Sequence, residues 1–582
     1  MRRLQALFLL SGLAGAPTCL AQATPGTPLD DLVQSYLWPH SDDEFRQTEA
    51  KLKSDSALTN VSRERFHDLE EAMRRGRREY PASPQPVDGK FALQEITIPI
   101  PGGAQIPVLV QLPPGYRTDV EWPLIFAMHG GPPASQTQAH SSAERMIRVW
   151  SESAQQAGWI VAAPAMFTTV TAGQRTTERL PYEVLHPEQV QALFVELRRK
   201  YHVNPDRIVS TGISLGSNFS IAFGTSHPDW LSAIVPVSTE GDYREHLLRN
   251  FSTMPVYILE GSKDKNIRKI DGPRALRDIL CSFDYDLTYR EFSDRAHEGF
   301  QEHYPDVLRW LDLHPRRSYP REVLRVPNSA ITLIGCRRYW VQADSDQALY
   351  RARVTGPGRI DIVARWTKKL TLYLNDELVD LDAPIEVWVN GSKQFSGQPK
   401  RSIPFALEQA RDLEDERRIF AAEVTVQVPD TPQSVAAGRK LWEELKPTHP
   451  LGTLSFWETF ATRSLDERFP SLGLEGVEER PSNATGEVTA IRVTAVSGDG
   501  PFAASGVRKG DLLMQVGSEP FYTGNGGLTT LRNWMARSLR AQEVEWPVIV
   551  RRGSQEITLA GHFKLGPYAD PGTPNPTKSS QN

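Results

Sequence analysis

Residues 207–217, Arg207-Ile208-Val209-Ser210-Thr211-Gly212-Ile213-Ser214-Leu215-Gly216-Ser217, set the architecture of the central part of this chain. A short β-branched run meets a Gly-x-Ser-x-Gly pentad and passes into a helix-prone stretch, which predicts a sharp strand-to-helix turn with Ser214 at its apex. Gly212 and Gly216 carry no side chain, so the backbone can close tightly there and leave the hydroxyl projecting from a sheet edge. Such a pentad arises by chance about 0.2 times in a chain of this length and glycine content, so its surroundings must carry part of the argument.

Those surroundings alternate between apolar runs and amphipathic stretches. PLIFAMHG (123–130), GWIVAAPA (158–165), LSAIVPVS (231–238), MPVYILEG (254–261) and LTYREF (287–292) read as buried strands, with helices such as HPEQVQALFVELRRKYH (186–202) between them. FALQEITIPI and IPVLVQL, joined through Pro101-Gly102-Gly103, read as an opening hairpin. The expectation is an α/β domain over 87–315, a mostly parallel sheet with helices on both faces and an antiparallel start. Residues 132–155 read as a long loop with room for a lid.

Three loops at strand ends hold the chemistry. Asp264 follows VYILE, and His297 follows LTYREF. A serine hydroxyl is a weak nucleophile until a base takes its proton, and an acid fixes the base's tautomer; His297 and Asp264 are the candidates for those roles beside Ser214. Asp294 and Glu298 flank His297 and are rival acids, though residues so near in sequence more often cap or solvate a loop. Developing negative charge would meet the amide of Leu215 and that of Gly130 or Gly131, because Pro132 and Pro133 have no amide proton. His129 reads as a brace for that loop rather than as the base.

PLIFAMHGGPP, NPDRIVSTGISLGS, ILEGSKDKNI and RAHEGF together resemble the α/β-hydrolases of the esterase and prolyl oligopeptidase-like group over residues 91–314. The order Ser, Asp, His along the chain is the order that resemblance implies. NPDRI before the pentad is similar to secreted carboxylesterases, feruloyl-esterase-like enzymes and polyester depolymerase-like enzymes. Ser217 stands where many relatives carry a second glycine. The resemblance implies an acyl-enzyme hydrolase without a cofactor, acting on a small-molecule ester or, alternatively, on a peptide. No propeller is read ahead of the hydrolase, which favours the ester. A catalytically inactive scaffold is the alternative from another class.

The chain has 582 residues, room for three to four domains at roughly 150 residues each. MRRLQALFLLSGLAGAPTCLAQA (1–23) reads as a signal peptide: Arg2 and Arg3, an apolar run too short to span a bilayer, then Ala21-Gln22-Ala23. Export to the periplasm or medium follows, without stable membrane insertion. Cys19 offers a lipidation reading, to which Ala16-Pro17-Thr18 is a poor match. A helical segment (24–86) is expected next, with Ser41 capping Asp42-Asp43-Glu44, and Pro81, Pro84 and Pro86 ending it.

Short alternating strands, YWVQA, YRARV, RIDIVARW, LTLYLN and IEVWVNG, predict a small all-β, sandwich-like domain over 316–430, with Trp340, Trp366 and Trp388 mostly in its core. A helical linker (431–469) leads to residues 470–565, which resemble a bacterial, permuted PDZ domain through Leu472-Gly473-Leu474 and AASGVRKGDLL (503–513), with a helix over 528–539. That resemblance implies a groove for the carboxyl terminus of a peptide. Residues 566–582 are too polar and proline-rich to fold alone. Lys plus Arg number 66 against 71 Asp plus Glu, so a nucleic-acid partner is not expected. Cys281 and Cys336 form no metal-binding pattern; one bridge between them is open to an exported chain, but sequence alone does not predict it.

Overall fold

A computed structural model describes residues 28–76, 78–81, 92–100, 105–131, 135–166, 168–170, 177–179, 187–239, 245–267, 272–327, 336–445, 474–479, 490–496, 501–516, 519–520 and 544–563. The leader, the tail, Leu472, Gly473 and the helix read over 528–539 lie outside them.

Helices α1 (Pro28–Leu37), α2 (Asp42–Ser54) and α3 (Arg63–Arg75) open the chain. Ser41 caps α2 by accepting from the Glu44 amide at 3.2 Å, and Glu44 returns the favour at the His40 amide, a reciprocal box that satisfies two end donors.

The central sheet then forms from β1 (Gln94–Pro99), β2 (Gln105–Gln111), β3 (Trp122–Met128), β4 (Ile160–Pro164), β7 (Val203–Ile213), β8 (Ala233–Val237), β9 (Val256–Gly261) and β10 (Leu287–Phe292), while β5 (Thr168–Val170) and β6 (Thr177–Arg179) pair apart from it. The spatial order is β1-β2-β4-β3-β7-β8-β9-β10. β2 runs antiparallel to both β1 and β4, and the remaining neighbours are parallel. Strands β4, β8 and β9 are buried at every position, as strands covered on both faces must be. Helices α4 (Gln136–Ala157) and α9 (Tyr304–Asp312) pack on one face; α5 (Pro187–Lys200), α6 (Leu215–Ser226) and α8 (Pro273–Ser282) pack on the other, and α7 (Glu245–Leu248) is a single turn. The mostly parallel sheet with helices on both faces matches the expectation from sequence.

The stretch read as a lid-sized loop is instead the 22-residue helix α4. Ser135 caps it, Gly158 ends it at φ +73°, and Ala139, Ala143, Met146, Ile147, Trp150 and Ala154 form its buried stripe. Three small alanines in that stripe gave the sequence too weak a periodic signal.

Beyond α9, β11 (Glu322–Arg325), β14 (Leu349–Gly356), β15 (Arg359–Arg365), β17 (Ile385–Val389) and β18 (Ser392–Gly397) form one sheet; β12 (Arg337–Arg338), β13 (Val341–Ala343), β16 (Lys369–Leu374) and β19 (Ala422–Gln427) form another. The unit is not all-β. Helix α10 (Ile403–Leu413) lies within it, capped by Ser402, with Ile403, Ala406, Leu407 and Ala410 facing inward, and α1–α3 share the same apolar core. The eight-stranded sheet is thus inserted between two parts of one accessory unit. Helix α11 (Pro432–Leu445) covers that unit's first sheet through Leu441, Trp442 and Leu445. Trp340 is fully buried, Trp366 packs edge-on to Trp442, and Trp388 is half-buried beneath the Arg359 guanidinium.

The last described unit is an antiparallel sheet of β20 (Leu474–Glu479), β21 (Ala490–Val496), β22 (Leu512–Val516), β23 (Glu519–Pro520), β24 (Val544–Arg552) and β25 (Gln555–Phe563), in which β20 is an edge strand. Cys281 and Cys336 are free thiols. Among the described residues no helix is long and apolar enough to cross a membrane.

Candidate active site

Ser214 sits between β7 and α6 at φ 59°, ψ −124°, a backbone conformation that a non-glycine residue adopts only under constraint. The glycines around it supply that constraint. A Cβ on Gly212 would lie 2.2 Å from the Gly216 carbonyl, and one on Gly216 would lie 2.3 Å from the Met128 oxygen. The turn therefore closes only with glycine at both places. The Ser217 hydroxyl donates to the Ser214 carbonyl at 2.6 Å and braces the first turn of α6.

The loop after β3 runs against this turn. A Cβ on Gly130 would stand 2.7 Å from the Ile213 oxygen and 3.1 Å from Ser214 Cβ, so the Gly130 backbone borders Ser214. Gly131 takes φ +71°. His129 is buried; its Nε2 accepts from the Met166 amide at 3.3 Å and its Nδ1 faces the Gly130 carbonyl at 3.3 Å. Burial pushes its pKa down to about 4, so the ring is neutral and braces the glycine loop.

Asp264 and His297 come together from the loops after β9 and β10. Nδ1 of His297 lies 2.6 Å from Oδ2 of Asp264, while Oδ1 accepts the Asn266 amide at 2.8 Å. The carboxylate is buried and the imidazole is one-third exposed, open toward an incoming molecule. Gly261 permits this closeness, since a Cβ there would fall 2.3 Å from the Ala296 oxygen. The rival acids are engaged elsewhere: Asp294 pairs with Lys263 at 2.8 Å, and Glu298 with Arg295 at 2.6 Å.

A second tier of residues was not singled out from sequence. Ser238 Oγ donates to the Glu298 carbonyl at 2.7 Å and accepts from the Glu298 amide at 3.1 Å, gripping the residue after His297. Glu260, buried in β9, accepts the Thr239 amide at 2.7 Å. A carboxylate within the apolar run VYILEG was the available signal. Leu474 begins β20 and is buried; Leu472 and Gly473 of that candidate loop lie outside the described residues.

No family model matches the chain, and no curated protein matches it. Among solved structures it is similar to a thermostable esterase (19% identity, TM-score 0.31, covering 38% of this chain and 63% of that one). It is also similar to S-formylglutathione hydrolase from Staphylococcus aureus (13%, TM-score 0.29, 38% and 98%). A third is dipeptidyl peptidase 4 from Porphyromonas gingivalis (14%, TM-score 0.30, 39% and 36%). The chain spans less than two thirds of the thermostable esterase's length.

Proposed function

We propose that the chain is an exported serine hydrolase of the α/β-hydrolase kind that cleaves a small-molecule ester through an acyl-enzyme. The observation that carries this reading is the strained Ser214 turn together with the 2.6 Å pair of His297 and Asp264. With Nδ1–H donated to Asp264, the His297 Nε2 is left to take the Ser214 proton as the hydroxyl attacks the acyl carbon. The tetrahedral oxyanion is held by the amides of Leu215 and of Gly130 or Gly131. His297 then returns its proton to the leaving alcohol, and water attacks the acyl-Ser214 ester by the same route in reverse. The chemistry uses no cofactor.

The 474–563 unit is a PDZ-like module that takes an extended peptide beside β20, which among the described residues is an edge strand whose backbone can accept another strand. Hydrolysis of short nitrophenyl esters against aminoacyl and prolyl anilides, wild type beside Ser214→Ala, tests the catalytic reading. Serine-dependent ester cleavage is expected; serine-dependent anilide cleavage alone would make the chain a peptidase, and no serine-dependent turnover would favour a scaffold.

A further inference from the structure

Three catalytic elements meet at one short turn, residues 237–239, at the end of β8. The Ser214 amide donates to the Val237 carbonyl at 3.0 Å, and the Ser238 amide donates to the Leu259 carbonyl of β9 at 2.9 Å. The Ser238 hydroxyl makes two bonds to the backbone of Glu298, next to His297. Thr239 Oγ1 donates to Asn218 Oδ1 of α6 at 3.2 Å, and the Thr239 amide donates to Glu260 Oε1 at 2.7 Å. Ser238 is held at φ 45°, a conformation non-glycine residues keep only when their surroundings over-determine it.

We propose that Glu260, with Ser238, is a positioning residue of the site: it anchors the 237–239 turn to the strand leading to Asp264, and the turn fixes the backbone beside His297. The inference rests on the Ser214, His297 and Asp264 reading. Glu260 is fully buried, and among the described residues its Oε2 has no hydrogen-bond partner. The charged groups facing it are Asp264 from the next loop and Glu291 from β10, with the Tyr289 hydroxyl also on β10; Glu291 is itself paired with Arg274 at 3.0 Å. A carboxylate so placed would repel the Asp264 charge that His297 needs. Burial and these neighbours push the Glu260 carboxyl well above its ordinary range, and its Oε1 accepts the Thr239 amide at 2.7 Å.

Glutamine keeps a carbonyl oxygen where Glu260 accepts the Thr239 amide. In the full chain, the rate at which a fluorophosphonate labels Ser214 should stay within about threefold of wild type in Glu260→Gln, which retains the acceptor for Thr239. Glu260→Leu, similar in size but without an acceptor, should slow labelling by about thirtyfold or more, and Ser238→Ala by about tenfold, with thermal melts confirming folded protein. Because both act through one turn, the double variant should be little slower than Glu260→Leu alone. Equal rates in Glu260→Leu and wild type, or an equal loss in Glu260→Gln and Glu260→Leu, would overturn the positioning role while leaving the triad intact. A wild type that takes no label would overturn the triad, and the positioning role with it.

Discussion

The active site and the junction with the accessory unit both bury carboxylates, and they do so by opposite means. At the junction Asp415 faces Arg316 at 2.6 Å, and Asp229 accepts from Arg418 at 2.5 Å, all four side chains nearly sealed from water. Burial alone would raise both carboxyls, but Arg316 and Arg198 act on Asp415, and Arg418 and Arg338 on Asp229, and each is held below the usual range. In β9, Glu260 is as deeply buried, yet its charged neighbours are carboxylates and its own carboxyl rises. The partner, not the depth, determines whether a buried acid is ionised. The junction is an ionised clamp at the turn after α6; the site sets Asp264 against His297 and keeps a second buried carboxyl, Glu260, whose charged neighbours are carboxylates.

Four substitutions would break or sharpen that contrast. Asp264→Asn should lower turnover by about 10⁴-fold, since an amide favours the wrong imidazole tautomer, with the melting temperature little changed. Asp415→Asn should do the converse: it leaves the buried Arg316 charge with Asp206 as its remaining carboxylate, so urea denaturation should show a loss of about 2–3 kcal/mol while the rate per folded molecule is unaffected. Comparable slowing of the chemistry by both variants would mean the two regions are one system.

His227 offers a pH test. It is buried against Phe223 with neither ring nitrogen bonded, and burial pushes its pKa from 6.5 down to about 4. The unfolded ring takes up a proton near pH 6.5 that the folded ring refuses, so stability is full at neutral pH and is lost as pH falls toward about 4. His227→Phe should therefore gain about 2 kcal/mol relative to wild type at pH 5 compared with pH 7, read from urea midpoints at the two pH values. A difference that does not change with pH would contradict the buried neutral ring. The smallest effect belongs to Asp294→Asn: its pair with Lys263 is solvent-exposed, and rate and stability should stay within about twofold and about 0.5 kcal/mol.

The sheet and the loops carrying Ser214, Asp264 and His297 were legible because strand runs, glycines and chain order are local signals. Helix α4 was not, because its buried stripe is half alanine. Nor was α10, which hides among strands although Ser402 and Pro404 mark its start. The union of α1–α3 with residues 323–426 in one core could not be read at all, since contact across the inserted sheet leaves no periodic trace in either segment. At the site, backbone roles such as Ser238 gripping Glu298 depend on two loops meeting, which sequence spacing does not reveal.

The most direct measurement is mass-spectrometric mapping of the residue modified when the folded full-length chain meets a fluorophosphonate, with Ser214→Ala alongside. Stoichiometric modification at Ser214, absent from the variant, is the result expected of an activated nucleophile served by His297 and Asp264. Folded protein left unmodified at Ser214 would contradict it.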